Sequence, residues 1–497
     1  MIYATRLLRF PASAWLPLCL CMLGLTGACQ PEAGVWAPDE KAGGGGHLPS
    51  ENEGSFAPTV DDAPMGLPLR SIPSAQDLND DPGIVEVNLS ATRIPVNLRP
   101  DPGVVSGYSF RSPGPVIRAR LGDTLVVNFI NRLATPTSVH WHGLHVPFDM
   151  DGALAMPQTE EMTEDEHGLM QIPTDAAVRY EFQVNQAGTF WYHPHFDTSE
   201  QVDEGLFGVI VVEDPRDPVV EEMVLVLDAL GEQHGGMTDR PAGHGALNTR
   251  WRVNGLRQPV WTPASGSVVR LRFVNVSNVS YVSLTGPEWR VIALDQGILA
   301  APQSPDRLLL GPGDRAEVEL RVGNEAFDVV NEPWSINGGR TWAEPQTLIR
   351  VEPTGDLPAP PPADWPFTGT AATPDPGYAD IVWTFAGDDR SEEWFINGRQ
   401  FPDVEIETVR ASQPPIMEIR NLSPTEHPFH THGMDFEVLS VNGAPSEYQI
   451  IEDTINLRIG DIIRVRLRPA FPGLWMAHCH ILPHADLGMM SLINVIP

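Results

Sequence analysis

The chain has 497 residues, with 65 acidic against 32 basic side chains and a formal net charge of −33. That length accommodates about three domains of ~150 residues, and a hydrophobic fraction of 42% describes a globular chain and not a disordered acidic one. So large an excess of negative charge repels phosphate backbones and anionic lipid, which argues against nucleic acid as a partner.

The first 29 residues read as an export signal. Arg6 and Arg9 precede an apolar run from Phe10 to Thr26 that is short for a membrane span and ends in small residues before Cys29. Leu25-Thr26-Gly27-Ala28-Cys29 resembles a bacterial lipoprotein cleavage motif, with the leucine one place further from the cysteine than usual. An ordinary secretory signal cut nearby is the alternative. Either way the mature protein is expected outside the cytoplasm, in the periplasm or at the cell surface, with a membrane tether if Cys29 is lipidated. Of the 4 cysteines, Cys19, Cys21 and Cys29 fall in this segment and Cys479 stands alone in the body of the chain, so no internal disulfide is expected. Residues 30–82 are rich in Gly, Pro, Asp and Glu, include Gly43-Gly44-Gly45-Gly46, and read as a flexible tether.

From residue 83 the texture changes to short strands. Ile84-Val85-Glu86-Val87-Asn88-Leu89 alternates like a half-buried strand, and Thr124 to Asn131 is an apolar strand after a Gly-Asp turn. Such strands continue to the C-terminus with no long amphipathic helix, which predicts an all-β chain of sandwiches. They also recur at long period. Gly114-Pro115-Val116-Ile117, Gln258-Pro259-Val260-Trp261 and Arg399-Gln400-Phe401-Pro402 each precede a strand closing on Asn131, Asn275 or Asn421, about 145 residues apart. Asn254-Gly255 and Asn397-Gly398 repeat at a similar spacing. The expected domains are 83–215, 216–352 and 379–497, with the Pro-rich stretch 353–378 as a linker before the last.

Most of the 15 histidines are clustered. His140-Trp141-His142-Gly143 and His193-Pro194-His195 lie in the first repeat. His427-Pro428-Phe429-His430-Thr431-His432 and His478-Cys479-His480, followed by His484 and Met489, lie in the third. The middle repeat holds only His234 and His244, and His47 and His145 have no partner pattern and are expected at the surface. Residues i and i+2 of a strand share a face, so each His-x-His pair can converge on one site while Cys479 points away from its two neighbours. A cysteine, two histidines and a weak thioether make a blue-copper electron-transfer site, and Cys479, His427, His484 and Met489 supply that set. The other clustered histidines suit several further coppers. Zinc has no redox role for a His-Cys-His bridge to serve.

These motifs resemble those of the multicopper oxidase family, laccase-like enzymes of three Greek-key cupredoxin domains, over roughly residues 83–497. The resemblance implies four copper ions. The type 1 ion would take His427, Cys479, His484 and axial Met489, with Met490 the neighbour that could be confused with the last. The type 2 ion would take His140 and His430, and the type 3 pair His142, His193, His195, His432, His478 and His480. It further implies that single electrons pass from a reducing substrate through His484 and Cys479 to dioxygen, which is reduced to water. Asp151 stands where relatives carry a proton-donating acid, although an aspartate stabilising the turn before Gly152 accounts for it equally. Many bacterial relatives carry glutamate where this chain has Ala485, followed by Asp486. A thioether at Met489 implies a low-to-medium potential.

The reductant is left between phenols or aromatic amines and cuprous or other metal ions. Met150, Met156, Met162 and Met170 with Glu160, Glu161, Glu164, Asp165, Glu166 and His167 could hold a metal ion, or form only a solvated acidic loop. A non-enzymatic copper-binding relative is disfavoured by the filled ligand set, and a copper nitrite reductase by the His-Cys-His bridge. A monomer is expected.

Overall fold

A computed structural model of the chain describes residues 65–96, 103–154, 163–164, 168–216, 220–230, 250–287, 289–338, 344–364, 370–388 and 390–497. The export segment, residues 30–64, and Met156, Met162, Glu160, Glu161, Asp165, Glu166, His167, His47, His234 and His244 lie outside the described residues. The described elements are strands apart from a 3-10 turn at Phe148–Met150 and two short helices, Thr198–Asp203 and Leu482–Asp486.

The strands form three β-sandwiches of the cupredoxin type in chain order. The first pairs a sheet ordered Gly103–Tyr108, Ile84–Val96, Thr124–Asn131, Ala177–Gln183 with one ordered Ile117–Arg120, Gly208–Glu213, Gly188–His193, His140–His142. The second pairs six- and five-stranded sheets, and the third seven- and five-stranded ones. Period-two patterning explains which side chains fill them. Along Ile462–Pro469, Ile463, Val465 and Leu467 are buried while Arg464 and Arg468 turn to Glu418 and Asp435, at 2.7 and 3.3 Å. Each sandwich has its own apolar core, around Phe129 and Trp141, around Phe273 and Trp289, and around Phe429 and Trp475.

The sequence repeat has a physical counterpart in hydrogen bonds. Asn131, Asn275 and Asn421 are all fully buried. Each amide donates to two backbone carbonyls of its own sandwich: Thr135 and Ile172, Ser280 and Leu310, Thr425 and Leu457. Each side-chain oxygen accepts the N–H two residues on, from Leu133, Ser277 and Ser423. An amide in this place satisfies three backbone groups that burial would otherwise leave costly, so the residue recurs. The Asn-Gly pairs are equally explained. Asn254 and Asn397 have φ of 51° and 52°, Gly255 and Gly398 of 77° and 70°, the positive pair a tight two-residue hairpin turn requires. In the first sandwich Ser109 and Phe110 occupy the corresponding turn at φ 50° and 61°, a substitution that hid the third copy of this turn from sequence comparison.

Residues 65–82 depart from the expected tether. Leu69 N–H donates to Val260 O at 2.7 Å and Ala75 N–H to Val116 O at 2.8 Å, while Leu69 and Ile72 are buried. This segment is laced along the second and first sandwiches by backbone bonds, which composition does not report.

Candidate metal centres

Two short strands of the first sandwich and two of the third carry the clustered histidines. His140–His142 pairs antiparallel with Gly188–His193, setting His140 opposite His193, and His195 follows just beyond the strand end. In the third sandwich, His427–Thr431 pairs with Gly473–Cys479, setting Phe429 opposite Cys479 and His430 opposite His478. The pleat then separates the side chains: Cys479 lies within the third core with Phe429, Trp475 and Met489, while His478 and His480 face the first sandwich.

The cluster between the first and third sandwiches is made of buried imidazoles. His195 Nε2 and His432 Nε2 lie 3.3 and 3.1 Å from His478 Nε2, and these three rings form one group of converging donors. His140, His142 and His193 form another, and His140 with His430 and His432 a third. Unpartnered buried nitrogens test what this space is for. His140 Nε2, His142 Nδ1, His193 Nε2, His430 Nε2 and both nitrogens of His480 have no hydrogen-bond partner. The opposite nitrogens of four of these rings are engaged: His140 Nδ1 with Asp151 O, His193 Nδ1 with Pro194 O, His430 Nδ1 with Asp453 O, and His142 Nε2 with Asp453 Oδ1. A ring whose one N–H donates to a carbonyl or carboxylate presents a lone pair at the other nitrogen, the arrangement of a metal-ligating histidine. Burial, then the proximity of like rings, pushes His193, His478 and His480 far below the ordinary imidazole range, so they are neutral donors. The donor set fits the type 2 and type 3 copper ions of a trinuclear centre.

Asp151 joins this centre through its side chain. His432 Nδ1 donates to Asp151 Oδ2 at 2.9 Å, and His140 Nδ1 lies 3.3 Å from Oδ1. Burial raises the Asp151 carboxyl, but the adjacent His432 and His140 rings more than offset it and hold it well below the usual carboxylate range. The turn reading accounts only for its backbone, whose N–H donates to Phe148 O at 3.3 Å. Ala485, by contrast, is packed with Met476, Met490 and Leu492. Asp486 accepts from Ser199 N and Oγ, at 3.0 and 2.5 Å, tying the two short helices together at the surface.

The second donor set lies inside the third sandwich. His427 Nδ1 is 3.3 Å from Cys479 Sγ and from His484 Nδ1, and Cys479 Sγ is 3.7 Å from His484 Nδ1. Met489 is fully buried in the core that holds Cys479, whereas Met490 belongs to the separate cluster around Ala485. Burial pushes the Cys479 thiol up, so without a metal it is a neutral thiol. The set has the composition of a type 1 copper site.

Sequence reasoning missed several contributors. Ser423 Oγ lies 2.6 Å from His427 Nε2, fixing that ring from behind. Trp394 is buried and stacks on His484. Asp453 is buried and touches both His142 and His430. None lies in a histidine motif, and no local spacing marks them. His145, expected at the surface, is only 16% exposed and faces Asp435 at 3.5 Å. Met150 and Met170 are both buried in the first core.

Comparison with known proteins agrees with this geometry. One family model described as multicopper oxidase matches residues 93–217, and a second with the same description matches residues 376–497. Multicopper oxidase MmcO of Mycobacterium tuberculosis is 29% identical over 464 residues, covering 82% of this chain and 87% of the relative. Laccase-1 of Trametes villosa is 28% identical over 449 residues, covering 76% and 83%. The crystal structure of a multi-copper oxidase from Pseudomonas thermotolerans superposes with a TM-score of 0.66 at 30% identity, covering 83% of this chain and 99% of that one.

Proposed function

From the membership of this chain in the multicopper oxidase family we propose that its reductants are electron-rich aromatic molecules, phenols or aromatic amines, oxidised one electron at a time. The enzyme is an oxidoreductase with dioxygen as acceptor. Bound copper supplies the one-electron couples that join such oxidations to the reduction of dioxygen to water.

The protein's own residues divide that work. Trp394 and His484 form an aromatic stack on the side of the type 1 set, with Leu487, three residues on, 45% exposed. Both rings of the stack are buried, so the observation that carries the aromatic reading is the exposed apolar Leu487 three residues beyond the receiving imidazole, a surface that suits an organic donor better than a hydrated ion. Cys479 is bonded through the backbone to His478 and His480, so the path to the trinuclear set crosses only a few covalent bonds. There, water formation consumes protons, and Asp151 holds its carboxylate against two rings of the set to relay them. Bulk water is excluded by the burial of every clustered histidine.

The metal-ion reading drew on the methionines near residues 150–170. Met150 and Met170 support the first core instead. We also place the mature enzyme outside the cytoplasm, on the basic start at Arg6 and Arg9, the apolar run and Cys29, with a lipid tether there as the finer expectation.

The test loads the purified mature chain with copper and compares oxygen uptake on a phenol, an aromatic amine and cuprous ion, alongside metal content and visible spectrum. Faster uptake on the aromatic donors is expected. Uptake on cuprous ion alone would transfer the assignment to a metallo-oxidase, and a colourless protein inert on every donor would remove the aromatic proposal.

A further inference from the structure

The second sandwich supplies none of the candidate ligands, yet one of its turns reaches the trinuclear set. Gly313 packs its backbone on His480, where an added Cβ would sit 3.0 Å from the ring, and its φ is +90°. Two residues on, Arg315 is 1% exposed. Its Nε donates to Thr189 O at 3.1 Å, on the strand that ends at His193. Its Nη1 and Nη2 donate to Asp453 Oδ1 and Oδ2, each at 2.6 Å, a bidentate pair with the third sandwich. One guanidinium therefore bonds all three sandwiches.

Asp453 passes that placement on. His142 Nε2 donates to its Oδ1 at 3.2 Å, and His430 Nδ1 donates to its backbone carbonyl at 2.9 Å. Thr454 Oγ1 donates to Oδ1 at 2.9 Å and lies 3.2 Å from His142 Nε2 and 3.1 Å from His430 Nδ1. Asp295, also of the second sandwich, accepts from Arg315 N at 2.8 Å and from Thr454 N at 3.0 Å, closing the frame. The nitrogens left over are His142 Nδ1 and His430 Nε2, both buried and unpartnered.

We propose that Arg315 is a positioning residue of the trinuclear centre: by clamping Asp453 it fixes the tautomer and ring orientation of His142 and His430, so that the copper-free second sandwich completes the copper site. The guanidinium's planar fork is what the task requires, since it holds both carboxylate oxygens and leaves one edge of Oδ1 for His142. Apart from its bond to His142, a carboxylate released from Arg315 would keep only the single bonds from Gln296 Nε2 to Oδ2 and Thr454 Oγ1 to Oδ1, and without the bidentate clamp the shared reference of the two imidazoles would loosen. Partners of this kind, one step behind the ligands, typically change metal affinity or activity by about ten- to a hundredfold when removed.

The inference rests on His142 and His430 being ligands. Full-length, copper-loaded Arg315→Lys, Arg315→Met and Asp453→Asn enzymes are compared with wild type by copper per chain, blue type 1 absorption, type 2 electron paramagnetic resonance, and resistance of each signal to a chelator. Stopped-flow separates reduction of the type 1 site from reoxidation by dioxygen. The expected result is wild-type blue absorption and type 1 reduction, a weakened or shifted type 2 signal lost about ten- to a hundredfold more readily to chelator, and slowed reoxidation. Lysine, which offers one point of charge, should rescue partially compared with methionine. If Arg315→Met does not fold, Arg315→Lys and Asp453→Asn decide the matter: an unchanged type 2 signal and chelator resistance in both overturns the proposal. His430→Ala is the control for the ligand assignment. If it leaves the type 2 signal intact, the assignment fails and takes the clamp with it, which is distinct from a clamp that fails while the control behaves.

Discussion

Trp394 lies face to face on His484, with ring centroids 3.7 Å apart and planes inclined by 23°. The same indole meets His427 edge-on at 5.4 Å, so one aromatic side chain braces both imidazoles of the type 1 set. Trp394→Leu removes this support and opens a cavity in the third core. A loss of about 3 kcal/mol or more in stability is expected, with a shifted type 1 resonance spectrum and slower reduction by phenols. Trp394→Phe should fall between the two. An unchanged spectrum and reduction rate in the leucine variant would show that the stack has no part in the site.

Cys479→Ser keeps the size of the side chain but not the thiolate. The blue absorption and almost all turnover should disappear together, while the type 2 signal remains because Cys479 faces away from that cluster. Retention of the blue colour would refute the assignment of the type 1 set.

Asp151 and Gly152 can be separated. Asp151→Asn retains the shape but removes the charge facing His140 and His432. Type 1 reduction should be unaffected, while oxygen-dependent reoxidation slows by about a hundredfold or more if proton relay is its role. Equal rates in mutant and wild type would leave the residue as a turn former. At Gly152 an added Cβ would lie 1.8 Å from Val139 O, and φ is +77°. Gly152→Ala is therefore expected to cost more than about 1 kcal/mol and to lower the melting temperature whether or not copper is present.

Asp435 gives a pH prediction away from the ligands. Burial pushes its carboxyl from an ordinary 3.8 up to about 7, with Arg468 opposing and Asp453 adding to the rise. A raised folded pKa means the native chain holds a proton that the unfolded chain has lost. The stabilisation is fully present below about pH 4 and is lost as pH rises through about 7. Asp435→Asn should therefore match wild type near pH 4, diverge as pH rises from there to about 7, and melt a few degrees higher at pH 8. Parallel melting curves across that range would contradict the assignment.

The convergence of the candidate ligands into buried donor clusters was legible in the sequence because its geometry is local: residues two apart on a strand share a face, and His-Cys-His needs no distant information to be understood. The all-β class was legible for the same reason, in the alternation of strands such as Ile84 to Leu89. Arg315 and Asp453 were not, since 138 positions separate them and only the meeting of two sandwiches makes them a pair. Ser423 was hidden differently, being one of many serines in loops, with nothing nearby to mark its closeness to His427. Residues 65–82 misled because their proline, aspartate and asparagine content reads as a loop with no strand period, while backbone bonds from Leu69 and Ala75 and the buried Leu69 and Ile72 side chains tie them to the sandwiches.

The register between His427–Thr431 and Gly473–Cys479 sets Phe429 against Cys479 and His430 against His478. Sliding one strand past the other by a single residue would exchange inner and outer faces. The thiol would then look into the cavity between sandwiches and the two imidazoles into the hydrocarbon interior. Such a chain could keep most of its backbone ladder and still conduct nothing. Electrical connection in this protein is thus a matter of alignment, decided by the register of two strands.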